Sequence, residues 1–139
     1  MTIYLTPKPA VKTAITILQD AFGQYALVSA AMPKRRPPRF VQVSRIGGRQ
    51  DDPITDHARI LVECFGSDTE TVENMSATAR AALRNAISTT VDGVWVRNWS
   101  NEFGPVDFPH PQIIDMNRWQ FQGDLSLSTA TPMSVPPGS

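Results

Sequence analysis

A single cysteine, Cys64, leaves no disulfide possible within the 139-residue chain. It stands in the apolar run ILVECF, where a small buried hydrophobe in a reducing compartment is the expected reading. No stretch approaches the roughly 18 apolar residues that a membrane span requires, so no membrane contact is expected. The opening residues MTIYLTPKPAVK lack a basic lead and a long apolar run, so no signal peptide is expected and the protein should be soluble and made in a cytoplasm. Neither charge is in surplus: Lys plus Arg and Asp plus Glu both count 13. A protein that mainly holds a phosphate backbone carries a basic surplus, which argues against a dedicated nucleic-acid binder. Also missing are a Gly-rich phosphate loop, a G-x-S-x-G elbow and a paired-cysteine metal site. The two histidines, His57 and His110, lie far apart and read as surface residues. Neither enzyme activity nor a cofactor is expected.

What is there suffices for one core. Hydrophobic residues make up 41% and charged ones 19%, so a chain of this size should fold as one domain. Val11, Ala14, Ile15, Leu18, Ala21 and Phe22 follow the helical stripe spacing. Thr6 can cap that helix, Pro7 or Pro9 suits its first turn and Gly23 can end it. A second helix begins at a capping-box pair, Ser67 and Glu70, and buries Val72, Met75, Ala79, Ala82, Leu83, Ala86 and Ile87. Residues 25–31 are open between a short strand and a loose helical turn. Strands are expected at Phe40–Ile46, His57–Phe65, from Val94 after an Asp92-Gly93 turn, and at Trp119–Leu127. In the last of these Trp119, Phe121, Leu125 and Leu127 share one face. Trp95 and Trp99 should share a face of the third strand and be core, with Trp99, at the strand's end, the better placed to reach a partner.

The expected fold is α+β: residues 1–128 as a single domain, an antiparallel or mixed sheet of about four strands with two packed helices, in the order α-β-β-α-β-β. Residues 129–139 form an extended Ser/Thr/Pro tail with little to bury. A long loop, Ser100–Arg118, is broken by Pro105, Pro109 and Pro111. Its Phe103, Phe108, Ile113 and Ile114, together with Trp99, mark it as a contact surface, because loops this long in compact domains are usually functional or disordered.

Charge is segregated along the chain. PKRRPPR, from Pro33 to Arg39, is a stiff extended arm carrying Lys34, Arg35, Arg36 and Arg39. No acidic residue occurs from Ala21 to Gln50; the acid-rich turn Asp51, Asp52 and Asp56 follows. With His57 these carboxylates could ligate a divalent cation, but the spacing fits no standard loop and a solvated tip is the commoner outcome. Separate basic and acidic surfaces allow head-to-tail pairing of copies, which closes into rings or grows as filaments.

The segments PPRFVQVSRIGG and TDHARILVECFG, then DGVWVR, GPVDFPHP and RWQFQGDLSL, carry a resemblance by their order and spacing over about residues 37–128. The chain resembles the tail terminator proteins of long-tailed (siphovirus-type) bacteriophages, especially those infecting actinobacteria. The resemblance implies a hexameric ring on the head-proximal end of the tail tube, assembled in the host bacterial cytoplasm and resident in the virion neck. Such a ring ends tube polymerisation and offers the head-to-tail joining surface. Its partners would be itself, the major tail tube protein and the head-completion or stopper protein, with genomic DNA passing through the lumen without sequence-specific binding. Two other readings stand beside it: another neck component such as a head-closure protein, and a small metal-dependent hydrolase built on Asp51 to His57. In a ring the basic arm either lines the lumen or reaches an acidic surface such as Asp51-Asp52 on a neighbour. Zero net charge favours the neighbour.

Overall fold

The computed structural model describes residues 3–4, 6–129 and 133–134. Helix α1 spans Ala10–Phe22 and buries Ala10, Thr13, Ala14, Ile17, Leu18 and Phe22. That is the periodic stripe expected, rotated slightly, so that Ala21 is exposed. Its N-cap is Pro9, not Thr6, and no side chain caps it. Gly23 ends it at φ 55, a conformation that costs a Cβ-bearing residue free energy. Helix α2 spans Thr69–Asn85. Its N-cap is Asp68, one residue past the expected Ser67, with Oδ1 accepting from the Thr71 N–H at 2.8 Å. Val72, Met75, Ala79 and Leu83 point into the core.

The strand content exceeds expectation. Six strands form one mixed sheet: β2 (Leu27–Ser29), β3 (Phe40–Asp52), β4 (Thr55–Gly66), β5 (Thr89–Val91), β6 (Val94–Asp107) and β7 (Asn117–Ser128). They lie in the order β2-β3-β4-β7-β6-β5, with β2 parallel to β3 and the other neighbours antiparallel. Among the described residues the protein is thus a single α+β domain with two helices, as expected, but its main sheet has six strands rather than about four, with β2 and β5 added to the expected order α-β-β-α-β-β. A separate pair joins β1 (Ile3–Tyr4) to β8 (Met133–Ser134). The expected tail therefore holds one short strand; its residues 130–132 and 135–139 lie outside the described residues.

Three differences have physical causes. Residues 47–52, expected as a polar turn, continue β3, and the turn proper is Pro53-Ile54. Residues 100–107, expected as loop, continue β6, leaving only 108–116 to connect it to β7. Residues 47–52 are exposed throughout and 100–107 are at most half-buried, so neither extension carries an apolar alternation to read. The third concerns the tryptophans. The β6–β7 ladder slips by one residue between Val96 and Asn98, and such a bulge inverts the facing of everything beyond it. Val94, Val96 and Trp99 therefore enter the core while Trp95 is 44% exposed.

The main core fills the space between the helices and one sheet face, with Val41, Val43, Ile60, Val62, Cys64, Phe121, Leu125 and Leu127. On the alternate positions, hence the opposite face, a smaller cluster forms: Phe40 stacks on Phe65 across the strand pair, centroids 4.3 Å apart, with Ile113 closing it. Burial pushes the Cys64 thiol up to about 12, so it is un-ionised and inert at neutral pH.

Candidate functional site

The charged residues divide into those engaged with the scaffold and those that face solvent alone. Arg45 grips Asp56 through two hydrogen bonds, 2.9 and 3.0 Å, and the carboxylate side chain is only 3% exposed. That hydrogen bonding, with the Asp56 charge, raises the Arg45 guanidinium above its ordinary value against a smaller effect of burial. Asp56 is thus an internal partner, not the surface acid expected from the sequence. Asp51 pairs with Arg49 at 2.7 Å, and Asp52 accepts from the N–H groups of Ile54 and Thr55, pinning the hairpin tip. His57 sits with Nδ1 2.7 Å from Ser126 Oγ, on the opposite side of β4 from Asp56 by alternation. The expected acidic turn does not converge as a ligand set, and no group of three or more metal-ligating side chains occurs among the described residues.

The basic arm divides too. Arg39 lies over the Tyr25 ring, 4.2 Å from its centroid, and donates from Nε to the Tyr25 carbonyl at 2.8 Å. Lys34, Arg35 and Arg36 are exposed, and none of them appears in an ion pair among the described residues.

The expected contact residues of the Ser100–Arg118 segment separate likewise. Trp99 is buried at 6% exposure, and its Nε1 donates to Glu102 at 2.9 Å; Ile113 is buried in the small cluster. Neither can meet a partner. Phe103, Phe108 and Ile114 are exposed, Ile114 at 92%. Two further slips in the β6–β7 ladder, before and after Phe103, set Phe103 opposite Gln122 and Val106 opposite Gln120. Cross-strand partners share a face, so Phe103 and Val106 both stand on the uncovered face, although their numbering parity would separate them. Phe108 continues the row: its N–H donates to the Arg118 carbonyl and its ring lies beneath the Arg118 guanidinium, 4.9 Å away. Val106 is legible in the sequence as one of the apolar residues of this segment, but the bulges that aim it at this face leave no mark in hydropathy. Gly104, between the two, holds φ 98, and a Cβ there would come within 2.9 Å of the Gln120 carbonyl; this glycine was the available hint. The exposed Tyr25 and Leu27, beside the arm, were hidden by the brevity of β2.

The uncovered face is otherwise polar and cross-braced. Arg59 donates to Gln122, to the Asn101 carbonyl and to Asp124, while Arg118 pairs with Glu63 at 2.9 Å. Partial burial raises Asp124, but hydrogen bonds from Asn101 and Arg59 outweigh it and hold the carboxyl below its ordinary range. The backbone N–H and hydroxyl of Thr71 do the same for Asp68. Both groups are less basic folded than unfolded, so their contribution is complete above the unfolded value, roughly pH 4, and is lost as pH falls through the lower folded values. The melting temperature should therefore drop on acidification below about pH 4, and Asp124→Asn should make that drop shallower. An unchanged acid slope in the variant, followed by circular dichroism, would remove Asp124 from the account.

These features define a single-domain α+β protein whose interior charges brace its own sheet and whose exposed apolar row and basic arm face outward. No family model matches the chain and no curated protein matches it. Among solved structures, the chain is similar to one in the virion of a native gene transfer agent particle, with 14% identity, 80% of this chain and 84% of that chain covered, and a TM-score of 0.48.

Proposed function

We propose that the chain is a non-enzymatic structural protein of a phage-like virion, a tail terminator whose copies ring the head-proximal end of the tail tube. The observation that carries this reading is the row Phe103, Val106 and Phe108, respectively 64%, 37% and 51% exposed on the uncovered face, with Ile114 beyond it. A soluble monomer gains nothing from displaying such a row, whereas a subunit that must seat on a tube or connector does. The sequence resemblance supplies the identity of that partner. On this reading the row meets the tube or the stopper protein, the arm joins neighbouring subunits, and DNA passes without base-specific contact. The resident compartment is the virion neck, assembled in the bacterial cytoplasm.

Native mass measurement and light scattering test it directly. The pure protein should be a hexamer, or a monomer that becomes a ring on purified tail tubes and stops their growth. Phe103→Asp with Phe108→Asp should leave a folded protein that no longer caps tubes. A wild-type protein that stays monomeric and leaves tube length and head joining unaffected would refute the reading.

A further inference from the structure

A groove of about 580 Å³ runs between α1, the C-terminal end of α2 and β5. Its volume lies within the range of binding clefts, roughly 300–1,000 Å³. Two exposed carboxylates line it, Asp20 on α1 and Asp92 in the β5–β6 turn. Asp92 accepts from Thr16 Oγ1 at 2.7 Å. Neither carboxylate takes part in an ion pair among the described residues, although Lys8 Nζ approaches Gly93 at the rim. Asn85 also lines the groove and is the last residue of α2. A helix C-terminus carries partial negative charge, although here the Ala82, Arg84 and Ala86 carbonyls each accept a hydrogen bond and Arg84 stands in the last turn. Two carboxylates thus line one groove beside the negative end of a helix.

The complementary group stands at the other end of the molecule. Lys34 and Arg36 border a shallow pocket with Ser67, just before the start of α2. The 17 residues of α2 rise about 25 Å at 1.5 Å each, so the Lys34/Arg36 pocket by Ser67 and the Asn85 end of the groove are separated by the length of the helix. Prolines at 33, 37 and 38 keep it extended, which lowers the ordering cost of insertion elsewhere.

We propose that the Lys34–Arg36 arm of one copy lies in the Asp20/Asp92 groove of the next. The inference rests on the self-assembling reading above and replaces Asp51 and Asp52 as the arm's acidic partner. Because donor and acceptor are different surfaces at opposite ends, the contact is heterologous, the kind that propagates from copy to copy and can close into a ring.

The test uses the full chain, with assembly followed by native mass measurement and light scattering, alone and on tail tubes. Asp20→Lys, a fully solvated helix-surface change, and separately Arg35→Glu with Arg36→Glu, should each raise the concentration needed for assembly by about tenfold or more. Combining all three substitutions in one chain should lower that concentration again relative to either variant, because position 20 and the arm then carry opposite charges once more. Circular dichroism melts confirm that each variant folds, and 1 M salt should weaken wild-type assembly. If the wild type assembles and the single-site variants assemble equally well, the joint is wrong while the ring stands. Normal assembly of the arm variant with lost DNA retention assigns the arm to the lumen and likewise overturns the joint. A wild type that assembles neither alone nor on tubes brings down the ring reading and the joint with it.

Discussion

Replacing Trp99 with alanine is expected to lower stability by about 3–5 kcal/mol, measured by urea denaturation at neutral pH. The indole is buried in the main core over β7, meets the Phe121 ring edge-on with centroids 6.2 Å apart, and anchors Glu102 through Nε1. Glu102 in turn accepts from Arg84 at 2.7 Å, so truncation also loosens a link between α2 and the sheet. The indole rests on Gly123 in the adjacent strand, where an added Cβ would fall 2.4 Å from the ring carbon Cζ2. Gly123→Ala alone should therefore cost about 1–3 kcal/mol by overpacking. In the Trp99→Ala background the same change should cost little, since the methyl enters vacated space. The double-mutant cycle reads this coupling directly. Strict additivity would mean that the ring does not occupy the seat described.

The second large effect is expected at Arg45. Its partner Asp56 is almost fully buried while Arg45 itself is 37% exposed, so the two truncations are not equivalent. Arg45→Met leaves a buried carboxylate without a counter-charge, a loss of about 3–5 kcal/mol. Asp56→Asn leaves a guanidinium that can turn into solvent, and should be the milder change. Arg45→Met combined with Asp56→Leu should regain most of the loss, because an apolar pair avoids desolvating ions. The ranking is checked by thermal and urea melts of the three variants. Asp56→Asn proving the worst of the three would contradict it.

The sequence is most legible where one face of an element is buried and the other wet. The α1 and α2 stripes, the Val41/Val43 alternation and the Phe121, Leu125, Leu127 face of β7 all lie where periodicity puts them. Legibility fails where register, not hydropathy, decides. Trp95 and Trp99 have strand-like spacing, but one slipped rung sends them to opposite faces. Leu27–Ser29 is too short to announce itself and pairs in parallel with β3 through a long connection. Asp56 reads as part of an acidic turn, and only the β3–β4 pairing brings Arg45 close enough to take it inside. Of the surfaces, the arm residues Lys34, Arg35 and Arg36 were visible as a run of charge. The Asp20/Asp92 groove was not, because its two carboxylates are far apart in the chain and meet through the packing of α1 against β5.

The strand order has a consequence for the time course of folding. β7 lies at the centre of the six-stranded sheet, between β4 and β6, although it follows all the other strands of that sheet in the chain. The β3–β4 and β6–β7 hairpins can each close locally, but every rung of the β4–β7 seam, from Gly66 with Asn117 to Thr55 with Ser128, bridges the whole of α2 and the strands after it. Distant pairings of this kind form late, because loop closure precedes their reward. A chain emerging from the ribosome thus holds β4 with an open edge until residue 128 is out. Its fold is completed from the middle, by docking two preformed halves.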